Sequence, residues 1–209
     1  MRWLLVLALV GCSARSIALH RPTDKRADEA VTALWRDDIH RVARDGDWLL
    51  TRSYYLIGDV IAATTRGEAL SHASIYDAAH DSVIEAVGEG VREVSLAELL
   101  ERNHYVIVVR PTGMTATEQR EALDRARAMI GRPFDIRGML GFDDPEAFYC
   151  SELVYWASQT EARTGVRPRV IAPSDLMQFG EVIYWSGKRD DRQLLQIAGE
   201  RSRDPQAIR

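Results

Sequence analysis

The feature that most constrains the fold is a run of short apolar segments in the middle of the chain. Residues 71–76, 82–87 and 91–94 are rich in Val, Ile, Tyr and Ala, and each is too short for a stable helix. They are separated by Asp77-Ala78-Ala79-His80-Asp81 and by Gly88-Glu89-Gly90. Strands joined by loops this brief pair antiparallel, because a parallel partner needs a crossover of about a dozen residues or more. Strands are also expected at 48–51, at 104–110 (interior, from Val106-Ile107-Val108-Val109) and at 181–185. Apolar residues at three- and four-residue spacing predict a helix over 27–44, through Ala30, Val31, Leu34, Trp35, Ile39 and Val42. A second spans 115–130, opened by Thr117 with Arg120 and Glu121 and closed by Gly131-Arg132-Pro133. Shorter helices are expected at 55–65, 96–101 and 173–176. Helices flanking a β-rich centre make an α+β domain, one antiparallel sheet with helices packed at one side. Trp35, Trp48, Trp156 and Trp185 are expected in the core, the alternative being a carbohydrate platform.

A chain of 209 residues with 46% hydrophobic content has material for one domain with a core. Its net charge of −4, without a basic block, argues against a nucleic-acid partner. Met1-Arg2 precedes an apolar run over residues 3–11, well short of the ~20 residues of a membrane span. It reads as an export signal. Leu9-Val10-Gly11-Cys12 looks like a bacterial lipoprotein signal, with Cys12 taking the lipid; the alternative is an ordinary secretory signal with a chance cysteine. Ser13 after that cysteine resembles the outer-membrane sorting pattern of lipoproteins. The expected organisation is a signal over 1–11, a tether over 12–26, a catalytic domain over 27–187 and a charged tail over 188–209. That places the protein in the bacterial envelope, on the periplasmic face, held to the membrane by its N-terminal lipid.

If Cys12 is lipidated, Cys150 has no disulfide partner, and a lone thiol in an exported protein is an oxidation liability. Asp143-Asp144-Pro145-Glu146 reads as a helix start, with Cys150 about one turn in and the helix running to about residue 162. The positive end of the helix dipole lowers the pKa of a thiol placed there and favours the nucleophilic thiolate. A buried structural cysteine fits the same stretch.

A cysteine nucleophile needs a base, and the base needs a group to hold it. Among five histidines, His72 stands apart because it opens a strand whose residues 72, 74 and 76 share one face. The neighbouring strand carries Glu85, and a carboxylate among apolar residues is costly unless paired. A hairpin closing about residue 79 brings His72 and Glu85 within about one residue of facing. Glu85 then accepts from one ring nitrogen while the other faces the thiol. An edge histidine with a solvent-facing glutamate, or a structural His–Glu pair, remains open on this evidence.

The ordered set Gly46-Asp47, Ser71-His72-Ala73-Ser74-Ile75, Ile84-Glu85-Ala86, Gly131-Arg132-Pro133-Phe134-Asp135 and Tyr149-Cys150-Ser151-Glu152-Leu153 resembles the permuted papain-like amidases of the YiiX/YaeF type. These are related to the NlpC-type cell-wall peptidases and the lecithin–retinol acyltransferase group. The resemblance covers about 45–179. It implies a circularly permuted papain-like fold with the cysteine at a helix N-terminus and the histidine earlier in the chain. It gives Cys150 the role of nucleophile, His72 of general base then acid, and Glu85 of orienter. Phe134 stands where that family typically has Tyr.

The expected activity is hydrolysis of an amide bond through a thioester on Cys150. The substrate would be a peptidoglycan peptide or an acylated small molecule. The Cys150 backbone N–H is one oxyanion donor; Tyr149, Tyr76 and Ser53 are candidates for a second. Alternatives are a lipid-directed acyltransferase or thioesterase, with residues 54–63 lining an acyl pocket, and a non-catalytic envelope-binding lipoprotein. No cofactor and no metal are expected, since the histidines lack ligand spacing. The oligomeric state is left open.

Overall fold

The structure is a computed structural model that describes residues 19, 21–54, 68–142 and 144–203. The expected helix at 55–65, the acyl-pocket stretch at 54–63 beyond Tyr54, and the signal with Cys12 lie outside these residues. Helix α1 spans Lys25–Val42 and is capped by the Asp24 side chain, which accepts from the Arg26 N–H at 2.9 Å. Strands β1 (Trp48–Ser53), β2 (His72–Asp77), β3 (Ser82–Val87) and β4 (Gly90–Ser95) follow. Helix α2 is Leu96–Glu101, strand β5 is Asn103–Pro111, and helix α3 is Ala116–Arg127. Then come helix α4 (Cys150–Ala157), helix α5 (Thr160–Thr164), strand β6 (Gly180–Trp185) and helix α6 (Arg192–Arg203). Short 3₁₀ turns lie at Gly138–Leu140 and Pro173–Phe179.

The six strands form one antiparallel sheet in the order β4-β3-β2-β1-β5-β6. Alternation sorts the side chains into two cores. Trp48, Leu50, Ala73, Ile75, Ile84 and Ile107 face α3 and α4, whereas Leu49, Tyr76, Val83, Val106 and Val108 face α1, α2 and α6. Helices therefore cover both faces of the sheet, not one side. Trp35 and Trp48 are core residues, but Trp156 and Trp185 are 42% and 49% exposed, so the expectation for those two fails.

Four boundaries differ from expectation, the first of them for a reason that is not local. Cys150 is the first residue of α4, not a turn in. The acidic residues Asp144 and Glu146 form a turn, and Phe148 is held extended by a bridge to the 133–135 segment. The Phe148 N–H bonds the Pro133 carbonyl, and the Asp135 N–H bonds the Phe148 carbonyl, both at 3.1 Å. The helix then breaks at Ser158 and Gln159, the latter in the left-handed region with φ +50°, before α5. Helix α3 is opened by Thr115 with Glu118, a reciprocal capping box, rather than by Thr117, and it stops at Arg127.

Of the expected charged tail at 188–209, residues 188–203 are described and are folded onto the domain. Arg189 is fully buried over the Trp35 ring, 4.5 Å from its centroid, and donates to Asp28, Thr32, Leu100 and Asn103. Helix α6 packs on α1 behind it. At the other end, Lys25 and Arg26, expected in the tether, belong to α1, and Arg21 pairs with Asp28.

The Gly46-Asp47 pair fixes the turn that feeds β1. Gly46 has φ +81°, and a Cβ there would lie 2.3 Å from the Gln119 carbonyl oxygen. Asp47 is fully buried. Its carboxylate accepts from Arg110 through Nε at 3.1 Å and Nη2 at 2.7 Å, from Gln119 Nε2 at 2.9 Å and from the Arg44 N–H at 3.0 Å. Gly46→Ala combines left-handed strain with a clash against helix backbone. It is expected to lower stability by about 2–4 kcal/mol, measurable as a drop in the urea midpoint with an unchanged m-value.

Candidate active site

Two local facts place the sulfur. The Phe148 bridge delivers the chain to Tyr149 in extended geometry (φ −96°, ψ 167°), and helix α4 begins at the next residue. Glu152 Oε2 accepts the Tyr149 N–H at 3.2 Å, which steadies the first turn. Leu153, Val154 and Ala157 bury the helix against the sheet, and α4 lies across β2. Cys150 is 8% exposed and forms no disulfide. The His72 ring, the Ala73 backbone N–H and Ser151 are the neighbours that act electrostatically on its sulfur, while the Ser151 hydroxyl itself donates to the Ile171 carbonyl at 2.7 Å.

His72 opens β2, and Glu85 sits inside β3. The β2–β3 register pairs Ser74 with Glu85 and Asp77 with Ser82. His72 is thus the diagonal neighbour of Glu85, two residues along and on the same face. The hairpin closing expected about residue 79 would have put them on opposite faces; the shift comes from the Asp77–Ser82 turn, where Asp81 adopts φ +51°. Across that diagonal, Glu85 Oε2 meets His72 Nε2 at 2.7 Å. With Nε2 occupied, Nδ1 is the nitrogen left for the sulfur.

Glu85 is fully buried in the sheet and triply bound. Arg92 Nε donates to Oε1 at 3.0 Å, and Arg102 Nη2 donates to Oε2 alongside His72. The sequence reading missed both arginines. Arg92 was findable: a two-residue turn at Gly88-Glu89 puts it directly opposite Glu85, as observed. Arg102 reaches Glu85 only through the packing of α2, which the sequence does not display.

Burial opposes charge on all three groups, and their mutual contacts outweigh it. For Cys150, burial pushes the thiol up, but the hydrogen bond and charge of His72, then the Ala73 N–H and Ser151, bring it below the ordinary thiol value. For His72, burial lowers the pKa, but the bonds and charges of Cys150 and Glu85 raise it to about 9. For Glu85, burial raises the pKa, but His72 and Arg102 hold it well below the usual carboxylate range. A thiolate beside an imidazolium is the state these contacts favour.

The ion pair has a signature in stability. His72 has a raised folded pKa, so its contribution is complete below its ordinary 6.5 and is lost as pH rises through about 9. Cys150 has a depressed folded pKa, so its contribution is present above the ordinary thiol value and is lost as pH falls through the depressed one. Between the depressed Cys150 value and the raised His72 value of about 9 the two slopes oppose. Cys150→Ala removes the thiolate's contribution and also the largest support of the raised His72 pKa, leaving Glu85, so the His72 contribution is expected to be lost at lower pH than in wild type, as read from urea midpoints.

The other expected residues are dispersed. Tyr76 lies four residues along β2 from His72, about 13 Å at strand spacing, buried in the core on the α1 face. Tyr149 is buried with its hydroxyl accepting the Ile171 N–H at 3.0 Å. Tyr76 is therefore not brought to the sulfur, whereas Tyr149 adjoins Cys150 with its hydroxyl engaged by Ile171. Ser53 ends β1 near the site: its N–H donates to Ser71 Oγ at 2.9 Å, and Ser71 adjoins His72. Among the described residues, no group of three or more His, Cys, Asp or Glu side chains is placed to hold a metal ion. Behind Tyr149 a cavity of about 780 Å³ runs along α4, lined by Glu152, Tyr155 and Trp156 with Arg125, Glu161 and Arg169 across from them.

A strand histidine, an acid on the neighbouring strand and a thiol at the first residue of a helix, in an α+β fold with histidine before cysteine in the chain, define a permuted papain-like protein. The family model described as permuted papain-like amidase enzyme, YaeF/YiiX, C92 family, matches residues 42–175, and the chain belongs to that family. The family is one of amidase and peptidase hydrolases. Among solved structures, a crystal structure titled as the metalloprotein YiiX from Escherichia coli O157:H7 is similar at 23% identity and a TM-score of 0.48. The similarity covers 59% of this chain and 68% of that one. No curated protein matches.

Proposed function

We propose that this protein is an envelope-anchored cysteine amidase that cleaves peptide-like amide bonds of the cell wall. Cys150 is its nucleophile, His72 its general base and acid, and Glu85 its orienter. The observation that carries this reading is the continuous chain of contacts from Glu85 Oε2 through the His72 ring to the Cys150 sulfur. The Cys150 thiolate attacks the amide carbonyl carbon and forms a C–S bond while charge collects on the carbonyl oxygen. The backbone N–H of Cys150, at the positive end of α4, is aimed to receive that charge. As the C–N bond breaks, the His72 imidazolium gives its proton to the departing amine, leaving a thioester. His72, now neutral, takes a proton from water, whose oxygen attacks the thioester. The carboxylic acid departs and the thiolate–imidazolium pair is restored.

The cavity behind Tyr149 is lined by neither Cys150 nor His72, so the preference for a peptide-like substrate rests on the amidase chemistry of the family. Attachment through Cys12 keeps the enzyme at the membrane beside the cell wall. Purified peptidoglycan fragments and a panel of N-acyl amides, each incubated with the protein, test this reading. New amino groups are expected from the peptides with wild type and not with Cys150→Ala. Cleavage undiminished in Cys150→Ala, or confined to fatty amides, contradicts it.

A further inference from the structure

Glu85 has more partners than an orienting acid needs. Its side chain is fully buried, and its two oxygens are held by separate guanidinium groups, Oε1 by Arg92 at 3.0 Å and Oε2 by Arg102. Arg92 comes from β4, directly across from Glu85, and Arg102 from the residue that follows α2. Glu98 on α2 stands 3.9 Å from Arg92 and 4.0 Å from Arg102, which ties the two arginines together on their outer side. Neither arginine is among the groups bonded to the sulfur.

The sharing of Oε2 is the informative detail. A carboxylate held only by the histidine could rotate about its last torsion or take up a proton in its dry site. Donors on both oxygens fix the rotation, and their charge keeps the group ionised. Because Arg102 and His72 bond the same oxygen, the guanidinium sets where that oxygen lies and therefore where the imidazole points. We infer that Arg102, with Arg92 as its counterpart, is a positioning residue: it locks Glu85 so that Oε2 meets His72 Nε2 and Nδ1 is turned to the Cys150 sulfur. This inference rests on the reading of Cys150 and His72 as nucleophile and base.

Among the described residues, the charged groups around His72 and Glu85 are Cys150 on α4, Arg92 on β4, Glu98 on α2 and Arg102 beyond it. Loss of the Arg102 charge leaves Glu85 bound more exclusively to the imidazolium, so the ring keeps its proton to higher pH. The test is the pH dependence of iodoacetamide alkylation at Cys150 in the full chain, followed on the Cys150 peptide by mass spectrometry. Wild type is expected to react well at neutral pH, with an inflection near 9 where His72 loses its proton. Arg102→Met is expected to raise that inflection by about one pH unit and to slow the neutral reaction. Arg102→Lys, which keeps the charge and loses the fork, is expected to restore the inflection but not the full rate. Thermal melts confirm that each variant is folded; should Arg102→Met not fold, Arg102→Gln and Arg92→Met give the same reading. Superimposed wild-type and Arg102→Met profiles, with an inflection that disappears in His72→Ala, would overturn the clamp alone. A single ordinary thiol titration in wild type, unchanged by His72→Ala, would overturn the dyad and the clamp with it.

Discussion

Cys150→Ala is expected to abolish amide hydrolysis, a loss of about 10⁴-fold or more in kcat, and His72→Ala to cost nearly as much. The two substitutions together should be no worse than either alone, because the thiolate and the imidazolium act as one unit and each exists through the other. Glu85→Gln is a different experiment. It keeps the shape, but sets a neutral amide against Arg92, Arg102 and the His72 ring in a fully buried site. Its activity should fall by about 10²-fold, with a visible loss of stability, whereas Cys150→Ala should fold normally at neutral pH. Initial rates on the cleaved substrate, with urea melts of the same preparations, separate the catalytic effects from the structural ones.

The second large effect is on folding. Arg189→Met is expected to cost about 3–5 kcal/mol, because it strips a buried cation from Asp28 and takes a donor from the Asn103 carbonyl and from the Leu100 carbonyl, which keeps only the Arg102 N–H. Arg21 still reaches Asp28 at 2.7 Å, which sets a ceiling on the loss. The consequence should spread beyond the position itself, since the guanidinium joins the segment before α6 to α1, α2 and β5. Thermal melting and limited proteolysis of the 188–203 segment check this. An unchanged melting midpoint would mean that the C-terminal segment carries no weight in the fold.

The hairpin core was legible because strand length and turn composition are local properties. Residues 82–87 and 96–101 were bounded as observed from their own sequence. The Glu85–His72 pairing was legible for a related reason: a carboxylate in an apolar strand needs a partner, and the adjacent strand offered one. Its register was not, since one residue with positive φ at Asp81 decides which side chains share a face. The start of the Cys150 helix was misread because Asp143-Asp144-Pro145-Glu146 has the composition of a helix N-terminus. What overrules that composition is the bridge from Phe148 to Phe134, fixed by tertiary packing. The same limit hid Arg189, whose ion-pair partner Asp28 is 161 residues away, and Arg102, whose target lies across a helix–sheet contact.

Thiolate ultraviolet absorbance tests the central claim most directly, titrated in the wild-type chain against Cys150→Ala so that Cys12 cancels. The Cys150 signal is expected to persist to lower pH than that of an ordinary thiol, and His72→Ala is expected to move it back towards the ordinary thiol value of about 8.5. A Cys150 thiol that titrates at that ordinary value in wild type and in His72→Ala alike would contradict the account.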